Sequence, residues 1–245
     1  MDVKLRESIA LHKMEQCAGP IKKELFAIEK YESVEKDILI VVRDQPEYIE
    51  SCIKSIEQNT DNYNIYIWDN GSSEPTKSYL EDSSHTIRRS EDNLGFIRPN
   101  NQLASMGNSP YIILLNSDTV VKSGWDKAMI GWLQQNPDVA EVGYLGGILD
   151  KECKGGKFDF GSGVDYICGW GLCVSRKTYD EFGLFDEEHL DFAYAEDADL
   201  SLRLREAGRE IYALHLDYVI HFENKTAKTV SQERDMKITF ESNHE

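Results

Sequence analysis

Basic residues are scarce in this chain. Its 245 residues carry 27 lysines and arginines against 44 aspartates and glutamates, a formal charge of −17. A protein built mainly to hold a nucleic-acid backbone presents a basic face, so duplex nucleic acid is the less expected partner. An anionic ligand must instead be met locally, by a metal ion, an isolated arginine or a helix N-terminus. Long apolar runs are missing too. None approaches the roughly 18–20 residues of a bilayer span, and the opening MDVKLRESIALHKMEQ has no signal-peptide h-region, so no transmembrane segment and a cytoplasmic location are expected. The cysteines are five, Cys17, Cys52, Cys153, Cys168 and Cys173, with no C-x-x-C pair, which predicts free or buried thiols and argues against structural zinc or a disulfide framework. Solenoid repeats and low-complexity tracts are absent. What the chain does have is 40% hydrophobic residues, too many for wholesale disorder and enough for one core.

Organisation follows from periodicity. Residues 1–36 are mixed in charge and read as an N-terminal helical extension broken at Gly19-Pro20; residues 37–222 read as one α/β domain and 223–245 as a polar tail. Asp37 to Val42 is a β-branched run of buried-strand type. Asp44 and Glu47 then have capping-box spacing around Pro46, and Ile49, Cys52, Ile53 and Ile56 follow at helical intervals. The same strand-to-helix unit recurs at Ile65–Trp68 with Thr76–Asp82, at His85–Arg89 with the helix ending near Gly107, and at Tyr111–Leu115. Farther on, the expectations are a helix over 123–135, strands within 141–149, a loop over 151–163 and a strand over 169–175. A turn at 182–187 precedes a helix opening at Ala195-Glu196-Asp197 and closed by Gly208, and two short strands come last. Alternating strands and helices predict a mainly parallel sheet with helices on its faces.

In such sheets ligands sit beyond the carboxyl ends of the strands, and Asp44, Asp69 and Asp118 all fall there. Each aspartate singly has a plain alternative as a helix or turn cap. Asp69, in Trp-Asp-Asn-Gly-Ser, could accept hydrogen bonds from a nucleobase or a ribose hydroxyl.

The ordered series Ile-Val-Val-Arg-Asp-Gln-Pro-Glu-Tyr-Ile, Trp-Asp-Asn-Gly-Ser-Ser, Asn-Leu-Gly-Phe, Leu-Leu-Asn-Ser-Asp-Thr and Phe-Asp-Glu…Tyr-Ala-Glu-Asp-Ala-Asp-Leu-Ser-Leu-Arg resembles the family 2 glycosyltransferases of GT-A fold, in their rhamnosyltransferase-like branch. The resemblance runs from residue 37 to about 222. It implies a nucleotide-diphosphate sugar donor (UDP-, GDP- or dTDP-linked), a hydroxyl acceptor such as a saccharide, and a single inverting displacement. Val42 and Arg43 would contact the base, and Asp69 the base or ribose. Asn116-Ser117-Asp118 corresponds to the D-x-D element with only its last aspartate kept, so Asn116 and Asp118 would face the donor. Asp118 with His221 would hold Mn²⁺ or Mg²⁺, His221 having the alternative of an ordinary strand-end histidine.

The chemistry fits those residue types. Negative charge grows on the departing diphosphate, which a hard cation on oxygen ligands neutralises, and the acceptor hydroxyl needs a carboxylate base. Asp197 is the expected base, with Glu196 as acceptor ligand or alternate base; the plain alternative is that Asp197 or Asp199 caps the helix, which would also hold the carboxylate in place. Arg98 would pair with the donor diphosphate or with a carboxylate. Arg88-Arg89 reads as a solvated edge. Trp170 would stack on an acceptor sugar or pack internally. Two other classes compete: a sugar nucleotidyltransferase, which would want a Gly-rich phosphate loop where Arg43-Asp44-Gln45-Pro46 stands, and a non-catalytic nucleotide-sugar binder, which Asn116 would suit.

Overall fold

The computed structural model describes residues 18–152 and 155–222, so Cys17, Cys153, the first half of the expected N-terminal extension and the polar tail lie outside the described residues. Helix α1 covers residues 18–29, with Gly19 and Pro20 in its first described turn instead of at a break. The helix does more than extend the chain: Ala27 lies in the core, and the buried Glu24 carboxylate accepts from His215 N at 3.1 Å, His215 Nδ1 at 2.7 Å and Tyr212 Oη at 3.1 Å.

The main sheet has seven strands in the order β11-β6-β10-β4-β1-β2-β3. These are β1 (Lys36–Val42), β2 (Tyr63–Asn70), β3 (Thr86–Ser90), β4 (Tyr111–Leu115), β6 (Val139–Gly143), β10 (Gly171–Ser175) and β11 (Glu210–Ala213). The pairs β1–β2, β1–β4, β2–β3 and β6–β11 are parallel; β10 alone runs antiparallel, between β4 and β6. The central strands are buried on both faces, which is why they read as unbroken Ile, Leu and Val runs. One core layer gathers Ile38, Ile40, Ile49, Ile56 and Trp125; the opposite layer gathers Leu39, Leu103, Leu114, Leu172 and Leu200. Helices α2 (Pro46–Asn59), α3 (Thr76–Glu81), α4 (Ile97–Met106), α5 (Trp125–Gln135), α6 (Arg176–Phe182) and α7 (Glu196–Glu206) cover these faces.

Smaller sheets complete the structure. Strand β12 (Val219–His221) pairs antiparallel with β5 (Thr119–Val121), so the end of the domain returns to the strand just past Asp118. Strands β7 (Gly146–Leu149), β8 (Gly155–Asp159) and β9 (Tyr166–Ile167) form a three-stranded sheet, and β8 occupies part of the expected loop over 151–163.

Two further local expectations are overturned. Asp44 and Glu47 make no capping box: Asp44 and Gln45 both have left-handed backbone (φ 56° and 57°), and Gln45 at the cap position offers no side-chain bond. The Asp44 carboxylate instead accepts from Ser73 N at 2.8 Å and Ser73 Oγ at 2.7 Å, joining the β1 and β2 loops. Helix α6 falls where no helix was expected; its signal was Ser175, whose hydroxyl accepts from Thr178 N at 3.0 Å as an N-cap.

Candidate functional site

The return of β12 to β5 assembles the first half of the site. Phe222 N donates to Asp118 O at 2.9 Å, and His221 Nε2 then lies 3.2 Å from Asp118 Oδ1 and 3.4 Å from Asn116 Nδ2. Asp118 is 5% exposed. Trp170 closes this cluster from the other side. Its carbonyl accepts from Asn116 N at 2.9 Å, and its half-buried indole stacks on His221 with ring centroids 4.9 Å apart and planes 17° apart.

The second half is the start of α7. Asp197 Oδ2 accepts from Gly169 N at 3.0 Å and Oδ1 from Ala198 N at 2.8 Å, so both carboxylate oxygens are oriented by backbone donors. Gly169 is the residue before Trp170. Asp197, Gly169, Trp170, His221 and Asp118 therefore form one contiguous chain of contacts, and the two halves predicted from distant sequence segments meet. Beside Asp197, Glu196 is buried and its Oε2 has no hydrogen-bond partner. Burial, then the neighbouring Asp197 charge, pushes Glu196 up to about 8; burial also raises Asp197. Of these two adjacent carboxyls, Glu196 is the one the fold holds more strongly to its proton, and Asp197, with two backbone donors, the one that ionises more readily.

The segment entering α7 is strained. Phe192, Tyr194 and Ala195 all have positive φ (60°, 76° and 68°). The Phe192 carbonyl accepts from Phe96 N at 2.6 Å and Ile97 N at 3.4 Å, pinning the strained segment to the start of α4. Asn70 fixes the other side of that turn, its Oδ1 accepting from Leu94 N at 3.0 Å and its Nδ2 donating to Gly95 O at 2.7 Å. The roles of Asn70 and of the Gly169 N–H are not legible in the sequence beyond the Asp-Asn-Gly and Gly-Trp-Gly turns that contain them.

At the nucleotide edge the expected residues are placed differently. Val42 is 1% exposed, so only its backbone can face a ligand. Arg43 Nε lies 3.9 Å from Asp44 Oδ2. Asp69 is 2% exposed, with Oδ1 accepting from Ser72 N at 2.8 Å and Oδ2 from the Arg89 guanidinium, whose Nη2 also donates to Ser72 O at 2.8 Å. Arg89 is therefore no mere solvated edge, since an aspartate two positions from a turn drew it in. Arg98 takes the carboxylate alternative, with Nε 3.7 Å from Glu187 Oε2 and a 58% exposed side chain. Cys52, Cys168 and Cys173 are buried free thiols, pushed up by burial and so inert as nucleophiles.

Among the described residues there is no group of three or more His, Cys, Asp and Glu side chains able to hold a metal. The Asp118–His221 pair with the Asn116 amide fits a Mn²⁺ or Mg²⁺ ion of the kind that takes its remaining ligands from substrate phosphates.

Comparison with solved structures identifies the architecture. GalNAc-T7 with UDP, GalNAc and Mn²⁺ aligns with TM-score 0.66 at 14% identity, covering 77% of this chain and 44% of that one. The mannosyltransferase PcManGT from Pyrobaculum calidifontis, in complex with GDP-Man and Mn²⁺, aligns with TM-score 0.60 at 13% identity, covering 84% of this chain and 66% of that one. The fold is the GT-A glycosyltransferase fold. The model of the family Glycosyl transferase family 2 matches residues 37–152. An uncharacterized glycosyltransferase of Haemophilus influenzae is 28% identical over 123 residues, which are 47% of this chain and 38% of that relative. The GT-A domain here thus spans well under two thirds of that protein and of GalNAc-T7.

Proposed function

We propose that this GT-A protein moves a sugar from a nucleotide-diphosphate donor to an acceptor hydroxyl with inversion, using Asp197 as base. The observation that carries the reading is the contact chain from Asp118 and His221 through Trp170 and Gly169 to Asp197. It supports the reading because it joins Asp118 and His221 to a backbone-oriented carboxylate, as a displacement with donor on one side and acceptor on the other would use. Asp118 and His221, with Asn116, would hold the divalent cation, which when bound neutralises charge on the departing diphosphate.

The remaining roles belong to the chain itself. Gly169 N–H and Ala198 N–H hold the Asp197 carboxylate in one orientation, so it can accept the proton of the acceptor hydroxyl as that oxygen attacks the anomeric carbon. Proton-bearing Glu196 supplies a neutral wall that adds no repulsion toward an anionic donor. Trp170 keeps the His221 ring aligned. Arg98 is tied only by a long, exposed ion pair, a weak restraint that leaves it able to turn to the diphosphate. The UDP and GDP-Man in the two similar structures support a nucleotide-sugar donor. The rhamnosyltransferase-like motifs make deoxyhexosyl donors the first to screen, and the acceptor is a saccharide or another hydroxyl compound.

The test is turnover and donor binding of the full chain with Mn²⁺. Asp197→Asn should lower transfer by about 10²–10⁴-fold while donor binding persists. Asp118→Ala should weaken Mn²⁺ and donor binding together. Near-normal turnover in Asp197→Asn would remove the base assignment, and no nucleotide binding with any common donor would remove the whole reading in favour of a different ligand.

A further inference from the structure

Helix α1 and the two residues after it divide into two stripes. Glu24, Ala27, Ile28 and Tyr31 recur at i, i+3, i+4 and i+7 and turn inward, with Ala27 buried and Ile28 and Tyr31 packed against the core. That stripe is firmly held. A Cβ on Gly131 of α5 would stand 2.5 Å from the Ala27 carbonyl oxygen, so the two helix backbones touch, and Glu24 is anchored by Tyr212 and His215. The outward stripe, at the same spacing, is Lys22, Leu25, Phe26 and Glu29, with Lys23 and Lys30 beside it, all of them exposed. Leu25 is 41% and Phe26 51% exposed, and Lys30 Nζ sits over the Phe26 ring, 5.4 Å from its centroid. The exposed charges of residues 18–30 are thus three lysines against one glutamate, in a chain whose totals are 27 basic against 44 acidic; acids resume at Glu32. Phe160, also exposed, packs on His215 with ring centroids 5.5 Å apart, so a third apolar side chain borders the residue that anchors the helix.

We infer that the outward face of α1 is a peripheral membrane contact, seating Leu25 and Phe26 at the acyl boundary of an anionic lipid bilayer with Lys22, Lys23 and Lys30 among its headgroups. This goes beyond the glycosyl-transfer reading and does not depend on it. Charge complementarity selects the occupant: this short segment reverses the sign of the whole chain where two adjacent large apolar side chains meet water, the combination by which interfacial helices bind anionic lipid. The attraction acts within a Debye length of about 10 Å, beyond which salt screens the acidic remainder of the surface. A helix face is convex, so Leu25 and Phe26 enter a soft boundary without a partner of matching shape. Because α5 and His215 already fix the helix, binding carries little ordering cost. Two apolar side chains and three lysines give a reversible contact, far weaker than insertion of a spanning helix.

The experiment is co-sedimentation of the full chain with vesicles of phosphatidylcholine alone and of phosphatidylcholine with about one third phosphatidylglycerol. The expected result is partitioning about 10-fold or more stronger onto the anionic vesicles, falling steeply between about 0.05 M and about 0.5 M salt. Leu25→Ser with Phe26→Ser, and separately Lys22→Gln with Lys23→Gln and Lys30→Gln, should each lower that partitioning by about 10-fold or more. Melting temperatures should stay close to that of the unaltered chain, since the altered side chains are exposed. If the serine pair lowers the melting temperature, the lysine set remains decisive, because it removes no apolar contact. Equal partitioning onto both vesicle types overturns the inference, as does anionic binding that neither variant weakens. Absence of vesicle binding overturns it too, and binding of polyglutamate in its place would assign the face to an acidic protein. Concentration-dependent self-association abolished by the serine pair, without vesicle binding, would assign it to a second copy of this chain.

Discussion

Glu196 and Asp197 are neighbours in sequence with opposite tasks. Asp197 is partly buried and has two backbone donors; Glu196 is buried and has an oxygen with no partner. The groups facing this pair are Gly169 N–H from the loop before β10, Cys168 beside it, Tyr166 from β9, Tyr194 from the strained segment and Glu141 from β6. All the titratable ones among these are neutral or anionic, so nothing there offsets a second charge when Glu196 ionises at about pH 8. Activity should accordingly fall as pH rises through about 8, where the proton on Glu196 is lost. Glu196→Gln cannot lose that proton, so its kcat/KM profile should stay level on the alkaline side while the acid limb, set by Asp197, is retained. An unchanged alkaline limb in Glu196→Gln would assign that limb to another group. The sequence exposed both carboxyls but not their division of labour, because the deciding partner, Gly169 N–H, lies 28 positions away.

At the scale of elements, the turn before α4 and the segment before α7 are held against each other. Gly95 has φ +81°, and a Cβ there would collide with the Phe192 carbonyl that accepts from Phe96 N. Gly95→Ala is thus expected to cost about 2 kcal/mol or more and to displace the strained Phe192–Ala195 run, lowering both melting temperature and turnover. Preserved turnover with an unchanged melting temperature would show that this clamp does not govern the site. Elements of this kind explain what was readable beforehand. The parallel strands β1, β2 and β4, buried on both faces, announce themselves as apolar runs, and α2 by its 3–4 spacing. The Asp44–Glu47 spacing misled because Asp44 had a better partner in Ser73, on a different loop. Strand β8 lay hidden in a Gly- and Lys-rich stretch with an exposed face, and β5 is three residues long, stabilised by a β12 that arrives about a hundred positions later. Local pattern carries local structure; register between distant segments is decided by packing.

For the whole molecule, the charge of −17 is joined by carboxyls that the fold keeps protonated. Glu141 is fully buried in β6, accepts from Ser201 Oγ on α7 at 2.6 Å, and is pushed up to about 8 chiefly by burial, with Asp197 adding to the rise. The sign of its linkage follows. A carboxyl raised in the folded state binds its proton there more tightly than in the unfolded chain, so the folded state is favoured below the ordinary carboxylate range and loses that advantage as pH rises from there to about 8. Self-repulsion among the surface carboxylates acts in the same direction but is screened by salt, whereas a buried group is screened little. Melting temperature should therefore decline between about pH 5 and 8 even at about 0.5 M salt. Glu141→Gln, which keeps an acceptor for Ser201 and has no proton to lose, should flatten part of that decline, with Glu196 supplying the remainder. If the variant and the unaltered chain show equal slopes in high salt, the decline belongs to other groups and Glu141 is ionised in the fold. A flatter slope would mean instead that α7, the helix carrying Glu196 and Asp197, is moored to the sheet through a neutral acid, and that alkaline loss of activity and alkaline loss of stability share one physical origin.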